Sequence, residues 1–184
     1  RIKDLINAFL YLVKCAQQRK RLSLDFVREV SAKVMQHTGK EVYTTIGGYD
    51  TSLGDFRLGA EYYEEGVLAN YAQIPDMLEQ LCKETNEKLG NVHDILTVKL
   101  AANFHYRFMH IKPFGAGNIS VGLLMMNYIQ MMFREPLIII PGEDKAKYLA
   151  AIKMQKDTPT PETFERFVGE ELLSQLRKEV SPQK

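Results

Sequence analysis

The stretch from Asn118 to Met132 constrains the fold more than any other. It carries Val121, Leu123, Leu124, Met125, Met126, Ile129, Met131 and Met132. A helix with that content is apolar around most of its circumference, so other helices must bury it. The rest of the chain can supply them. Leu5, Phe9, Leu12, Val13 and Ala16 recur at helical spacing and predict a helix over about 2–18. Ser23 is placed to cap a second helix, with Phe26, Val27, Val30 and Val34 on one face and Gly39 ending it. Pro75 suits the first turn of a helix that runs to Leu89. Ile95, Val98, Ala102, His105 and Met109 share one side of a helix over about 93–111. The central helix must stop before Pro136. Beyond it, Leu137 to Ile140 reads as a short buried connection, and a helix comes next over about 143–155. Thr160 and Pro161 then open a last helix through about 178.

Two stretches break the helical pattern. Residues 40–57 hold Gly47, Gly48 and Gly54 and read as a long loop. Phe56, Leu58, Ala60 and Tyr62 alternate with polar or small residues, as do Val67, Ala69 and Tyr71, with Glu64-Glu65-Gly66 between them. A period of two around a turn predicts a small β-hairpin.

Composition narrows the function classes. The 184 residues fit one domain, and 45% hydrophobic content is enough for a core. A net charge of +1 supplies no basic stripe, so no nucleic-acid partner is expected. The short cluster Arg19-Lys20-Arg21 reads as a solvated helix end. The apolar run from Leu5 to Val13 is interrupted by Asn7 and is shorter than the roughly 18 residues a membrane span needs, so no membrane partner is expected. Cys15 and Cys82 show no metal-ligand spacing, and their usage agrees with a reducing, cytoplasmic compartment. The first residue is Arg1 rather than Met, so the expectation is a single domain over 1–184 from a longer chain. Oligomeric state has no signature here.

Between the two central helices runs His110-Ile-Lys-Pro-Phe-Gly-Ala-Gly-Asn-Ile-Ser-Val-Gly-Leu123. Pro113 drives Lys112 out of the right-handed α region. Gly115 and Gly117 permit positive φ and the close approach of a ligand. The helix after the loop points its unpaired N–H groups and positive dipole end into it, where an anion could be held by backbone alone. An ordinary interhelical turn has the same pattern, and both readings stand on these residues alone.

The loop resembles the signature of the Fic family, H-P-F-x-(D/E)-G-N-G-R-x-x-R. The resemblance extends along most of the chain. Leu100-Ala-Ala-Asn-Phe-His-Tyr-Arg-Phe-Met-His-Ile111 is similar to the helix leading into that signature. Leu123-Leu-Met-Met-Asn-Tyr-Ile129 and Pro136-Leu-Ile-Ile-Ile140 are similar to the family's segments C-terminal to the signature. Gly54-Asp-Phe-Arg57 resembles a G-x-(Y/F)-R segment, and residues 5–35 resemble the two upstream helices. Residues 58–71 fall where the family has its target-docking hairpin, the flap. The resemblance implies a mainly α fold, a Fic-type helical bundle with a small β-hairpin beside the active-site loop.

The same resemblance implies damaged chemistry. The signature His, the family's base, is Lys112 here. A lysine in water holds its proton at neutral pH and is a poor base, though it suits a phosphate. The acid that holds Mg²⁺ is Ala116, so a family-type metal is not expected. The two arginines are Ser120 and Leu123, and the second glycine is Ile119, whose branched side chain would crowd a phosphate. Pro113, Phe114, Gly117 and Asn118 are kept, Phe114 as a core anchor and Asn118 as a helix cap or a phosphate contact. Lys112, Gly115, Ala116, Gly117, Asn118, Ile119 and Ser120 are therefore the candidate nucleotide or anion site, with ATP or another nucleotide as the ligand the family implies. His105 would share a face with Lys112 on a continuous helix, but a buried, hydrogen-bonded role fits it better. His110 should point elsewhere, and His37 and His93 show no partner motif. In the flap, Tyr62, Tyr63, Glu64 and Val67 could receive a protein target by strand addition, with Tyr71 as further contact surface; packing onto the core is the other reading. No convincing copy of the family's inhibitory (S/T)-x-x-x-E-(G/N) motif is present. Three functions stay open. They are a noncatalytic signalling or regulatory protein that binds a partner, with or without an anion in the loop; a transferase of altered chemistry using Lys112 and Ser120; and a purely structural module.

Overall fold

In a computed structural model of the chain, the described residues are 1–59, 69–91, 96–153 and 160–180, with the backbone of 62–63 and 66–67. Among them, seven helices form the bundle: α1 (Ile2–Gln17), α2 (Leu24–Met35), α3 (Ile74–Leu89), α4 (Thr97–Ile111), α5 (Asn118–Met132), α6 (Lys145–Ile152) and α7 (Glu162–Val180). α5 is the hub, packed by α1, α2 and α4. Its Val121, Met125, Met126, Tyr128 and Ile129 are fully buried, as the lack of a polar stripe requires. Tyr128 resolves its own burial by donating its hydroxyl to the Lys20 carbonyl.

Local chemistry sets the helix ends. The Ser23 hydroxyl accepts from the Phe26 N–H at 3.2 Å, capping α2. Pro75 lies in the first turn of α3. Residues 92–95, including His93 and the expected start of α4, lie outside the described residues. From within α5, Asn127 bonds the Ile138 backbone twice, at 2.7 and 3.0 Å, and pins the strip that follows the helix. That strip is only partly buried: Ile138 is enclosed, while Ile139 is 59% exposed.

The expected loop over 40–57 is structured. β1 (Glu41–Thr44) pairs antiparallel with β2 (Gly47–Asp50) through a two-residue turn, and a short 3-10 turn covers Thr51–Leu53. The predicted hairpin is present, with β3 (Tyr62–Tyr63) against β4 (Gly66–Val67), while 60, 61, 64, 65 and 68 lie outside the described residues. Phe56 lies outside it and forms a bridge to Phe114, and Tyr71 begins a 3-10 turn. Among the described residues, no helix is long and apolar enough to cross a membrane.

Candidate functional site

α4 ends at Lys112, whose φ of 41° and ψ of 67° put it in the left-handed region. Pro113 does exclude the right-handed conformation, but the chain turns left-handed instead of extending. That choice costs a non-glycine residue ~1 kcal/mol. It also lets the Lys112 N–H reach the Phe108 carbonyl at 2.9 Å and close the helix. The side chain is 9% exposed; it is not a solvated lysine on a turn.

Phe114 is 1% exposed and stacks obliquely on Phe56, with ring centres 5.7 Å apart. Asn118 does not cap α5 through its side chain. Its Nδ2 donates to the Phe114 carbonyl at 2.6 Å, and its Oδ1 accepts from the Phe114 N–H at 3.1 Å. Both ends of the amide thus lock the loop onto itself. Gly117 has φ 78°, and a Cβ there would lie 2.8 Å from Met35 Sδ. Gly115 meets a protein neighbour: its Cβ would sit 2.4 Å from the hydroxyl of Tyr49 on β2. The glycines therefore serve internal packing before any ligand.

Around the start of α5 is a cavity of about 290 Å³, lined by Lys112, Ala116, Gly117, Asn118, Ile119 and Ser120 on the loop side. Met109, Tyr148, Leu149 and Ile152 form an apolar wall, and Arg1 also contributes. Six of the seven residues assigned to the anion site from sequence meet here; Gly115 packs on Tyr49. Among the described residues lining the cavity, none bears a carboxylate, so this donor set does not fit Mg²⁺.

The described histidines are occupied elsewhere. His105 is wholly buried, and its Nε2 is 2.9 Å from the Tyr148 hydroxyl. Burial lowers its pKa from 6.5 to about 4, with the Gly122 backbone opposing that shift. His110 Nδ1 bonds the Tyr106 carbonyl at 2.6 Å. His37, which showed no partner in the sequence, meets buried Asp4 of α1 at 2.5 Å and holds that carboxyl below the usual range.

Arg57 is the residue whose role the sequence did not reveal. It is 1% exposed, and its guanidinium reaches carbonyls on both sides of the site. Nε donates to Lys112 at 2.7 Å and Nη2 to Ile111 at 3.3 Å. Nη1 donates to Gly59 at 3.1 Å and Nη2 to Ala69 at 2.7 Å. β3 and β4 supply the backbone of Tyr62, Tyr63 and Val67, while Glu64 lies outside the described residues.

A sequence model described as the Fic/DOC family matches residues 21–130. The chain belongs to the Fic/DOC family. The match runs from just before α2 through the loop between α4 and α5 and into α5. "Protein adenylyltransferase Fic" of Drosophila erecta is 25% identical over 164 residues, which are 89% of this chain and 30% of that protein. The chain therefore spans less than a third of that relative's length. A Fic domain-containing signaling protein from Bacteroides thetaiotaomicron superposes with a TM-score of 0.77 at 21% identity, covering 95% of this chain and 69% of the other. IbpAFic2 covalently tethered to Cdc42 superposes with a TM-score of 0.66 at 13% identity, covering 92% and 55%. At these identities the structural likeness speaks for the fold.

Proposed function

We propose that this Fic domain has lost AMP transfer and works as a signalling or regulatory binding protein. In this reading the 112–120 loop takes a nucleotide or other anion and the flap takes a protein partner. The observation that carries it is the cavity lining: a lysine at 112 and a methyl at Ala116 stand where transfer needs an imidazole base and a metal-holding carboxylate. A missing general base costs about 10²–10⁴ in rate and a missing charge-stabilising donor about 10²–10³. Though such losses do not add, this set lowers transfer below a useful rate. The Drosophila erecta relative is named an adenylyltransferase, which supports a nucleotide as ligand. The Cdc42-tethered neighbour supports a protein as partner. At about 290 Å³ the cavity falls just under the roughly 300–1,000 Å³ of ligand sites, a size that suits a compact anion such as the phosphate end of a nucleotide.

The test is transfer of label from ATP and a panel of other nucleotide donors to protein acceptors, with calorimetric titration of the same nucleotides. The expected result is saturable binding without modification, weakened in Lys112→Ala. Robust AMP transfer rejects the proposal. A second reading is favoured by the meeting of Lys112 and Ser120 in one cavity: transfer from a different phosphate-containing donor. It requires turnover that disappears in folded Lys112→Ala.

A further inference from the structure

We propose that Arg57 is the positioning residue that registers the flap to the 112–120 loop, so that displacement of either is transmitted to the other through its guanidinium. The flap's described strands are Tyr62–Tyr63 and Gly66–Val67, and an isolated two-stranded hairpin is marginal on its own. Arg57 bonds the described residue on each side of it: Gly59 on the entering side at 3.1 Å and Ala69 on the leaving side at 2.7 Å.

The same fork takes the carbonyls of Ile111 and Lys112. These lie at the C-terminal end of α4, where the helix dipole favours a cation, so the buried charge is held by the loop as well as by the flap. The backbone repeats the link. The Arg57 N–H donates to the Pro113 carbonyl at 2.9 Å, and Phe56 bridges Phe114. On the far side Asn118 holds both the Phe114 N–H and the Phe114 carbonyl. A continuous path of hydrogen bonds therefore runs from the start of α5, through Phe114 and Pro113, to Arg57 and both flap feet. A side chain that merely filled space would not distribute its donors over two separate elements.

The path is testable without knowing what the loop binds, so its failure is distinct from failure of the function proposed above. The carbonyl ¹³C chemical shifts of Gly59 and Ala69, whose oxygens accept from Arg57, are read by NMR with those of α3 as internal reference, in the wild type, Asn118→Ala, Arg57→Lys and the double variant. Lysine keeps the charge but lacks the planar fork. Releasing the clamp in Asn118→Ala should move both carbonyl shifts toward their values in Arg57→Lys and leave α3 in place. In the Arg57→Lys background, adding Asn118→Ala should move them no further. Additive displacements in the double variant would overturn the proposal. Should Arg57→Lys fail to fold, Asn118→Ala alone decides: unchanged carbonyl shifts at Gly59 and Ala69 overturn it.

Discussion

Acid should weaken this domain in a pH window that belongs to His105. The imidazole is wholly buried among Tyr148, Phe164 and Gly122, and its folded pKa is lowered by burial from 6.5 to about 4. The unfolded chain therefore binds a proton between these values that the folded chain refuses, so stability rises with pH across the window and falls as pH drops through it. A gap from 6.5 to about 4 corresponds to ~3 kcal/mol in full, of which ~2 kcal/mol is lost between pH 7 and pH 5. For a chain of this size that lowers Tm by roughly 4–8 °C. The carboxyls held below their usual range, Asp4 beside His37, Glu29 beside Lys20 and Glu84 beside Arg107, lose their stabilisation only as pH falls below about 4.5. The interval from pH 7 to 5 is thus free of them. Urea unfolding at pH 7, 6 and 5 should show the loss in the wild type. His105→Gln, which can bond Tyr148 but does not titrate, should flatten it. An equal slope in His105→Gln would refute the reasoning, as would a His105 ring that titrates near 6.5 by NMR.

Two glycine substitutions test the packing beneath the site. Gly54→Ala places a Cβ 2.2 Å from the backbone oxygen of Arg28 at a φ of 70°. Strain and overpacking together should cost ~2–5 kcal/mol in chemical denaturation, and a loss under ~1 kcal/mol would contradict the geometry. Gly115→Ala meets the end of a tyrosine side chain rather than backbone, so it should cost less, ~1–3 kcal/mol. Much of that cost should vanish in a Tyr49→Leu background, and full additivity would show that the two residues do not touch.

The helices were legible because their signal is local. A 3.6-residue period, a serine cap and prolines near the ends fix each helix from within its own sequence. The β1–β2 hairpin was not legible, for a physical reason. Its turn residues are Thr45 and Ile46, while Gly47 and Gly48 sit on the strand itself. Gly48 lies directly opposite Tyr43, and a Cβ there would be 3.3 Å from that ring. A tyrosine covering a cross-strand glycine looks, in sequence, like an isolated aromatic beside a glycine loop. In the site, the loop residues were found by their spacing, but their partners were not. Tyr49 on Gly115, Met35 on Gly117 and the carbonyls around Arg57 are all distant in sequence, and residue type does not announce them. The resemblance marked Arg57 as part of a motif without saying which atoms it holds.

The division of labour within the loop comes from those partners. Phe114, Gly117 and Asn118 are each committed to a named neighbour inside the protein, so changing them opens a cavity, strains the backbone or orphans a peptide group. Ala116, Ile119 and Ser120 line the cavity, where a side chain can change with little cost to the fold; Ile119 is 42% exposed. The positions that differ from the signature at 116, 119 and 120 are thus those the fold does not constrain, and those that agree with it are those that fix the loop's path. Keeping the loop's shape and keeping its chemistry are separate physical requirements. This chain meets the first through Arg57, Phe114, Gly117 and Asn118, and the second turns on what Lys112 and Ala116 can do in place of the signature's His and acid.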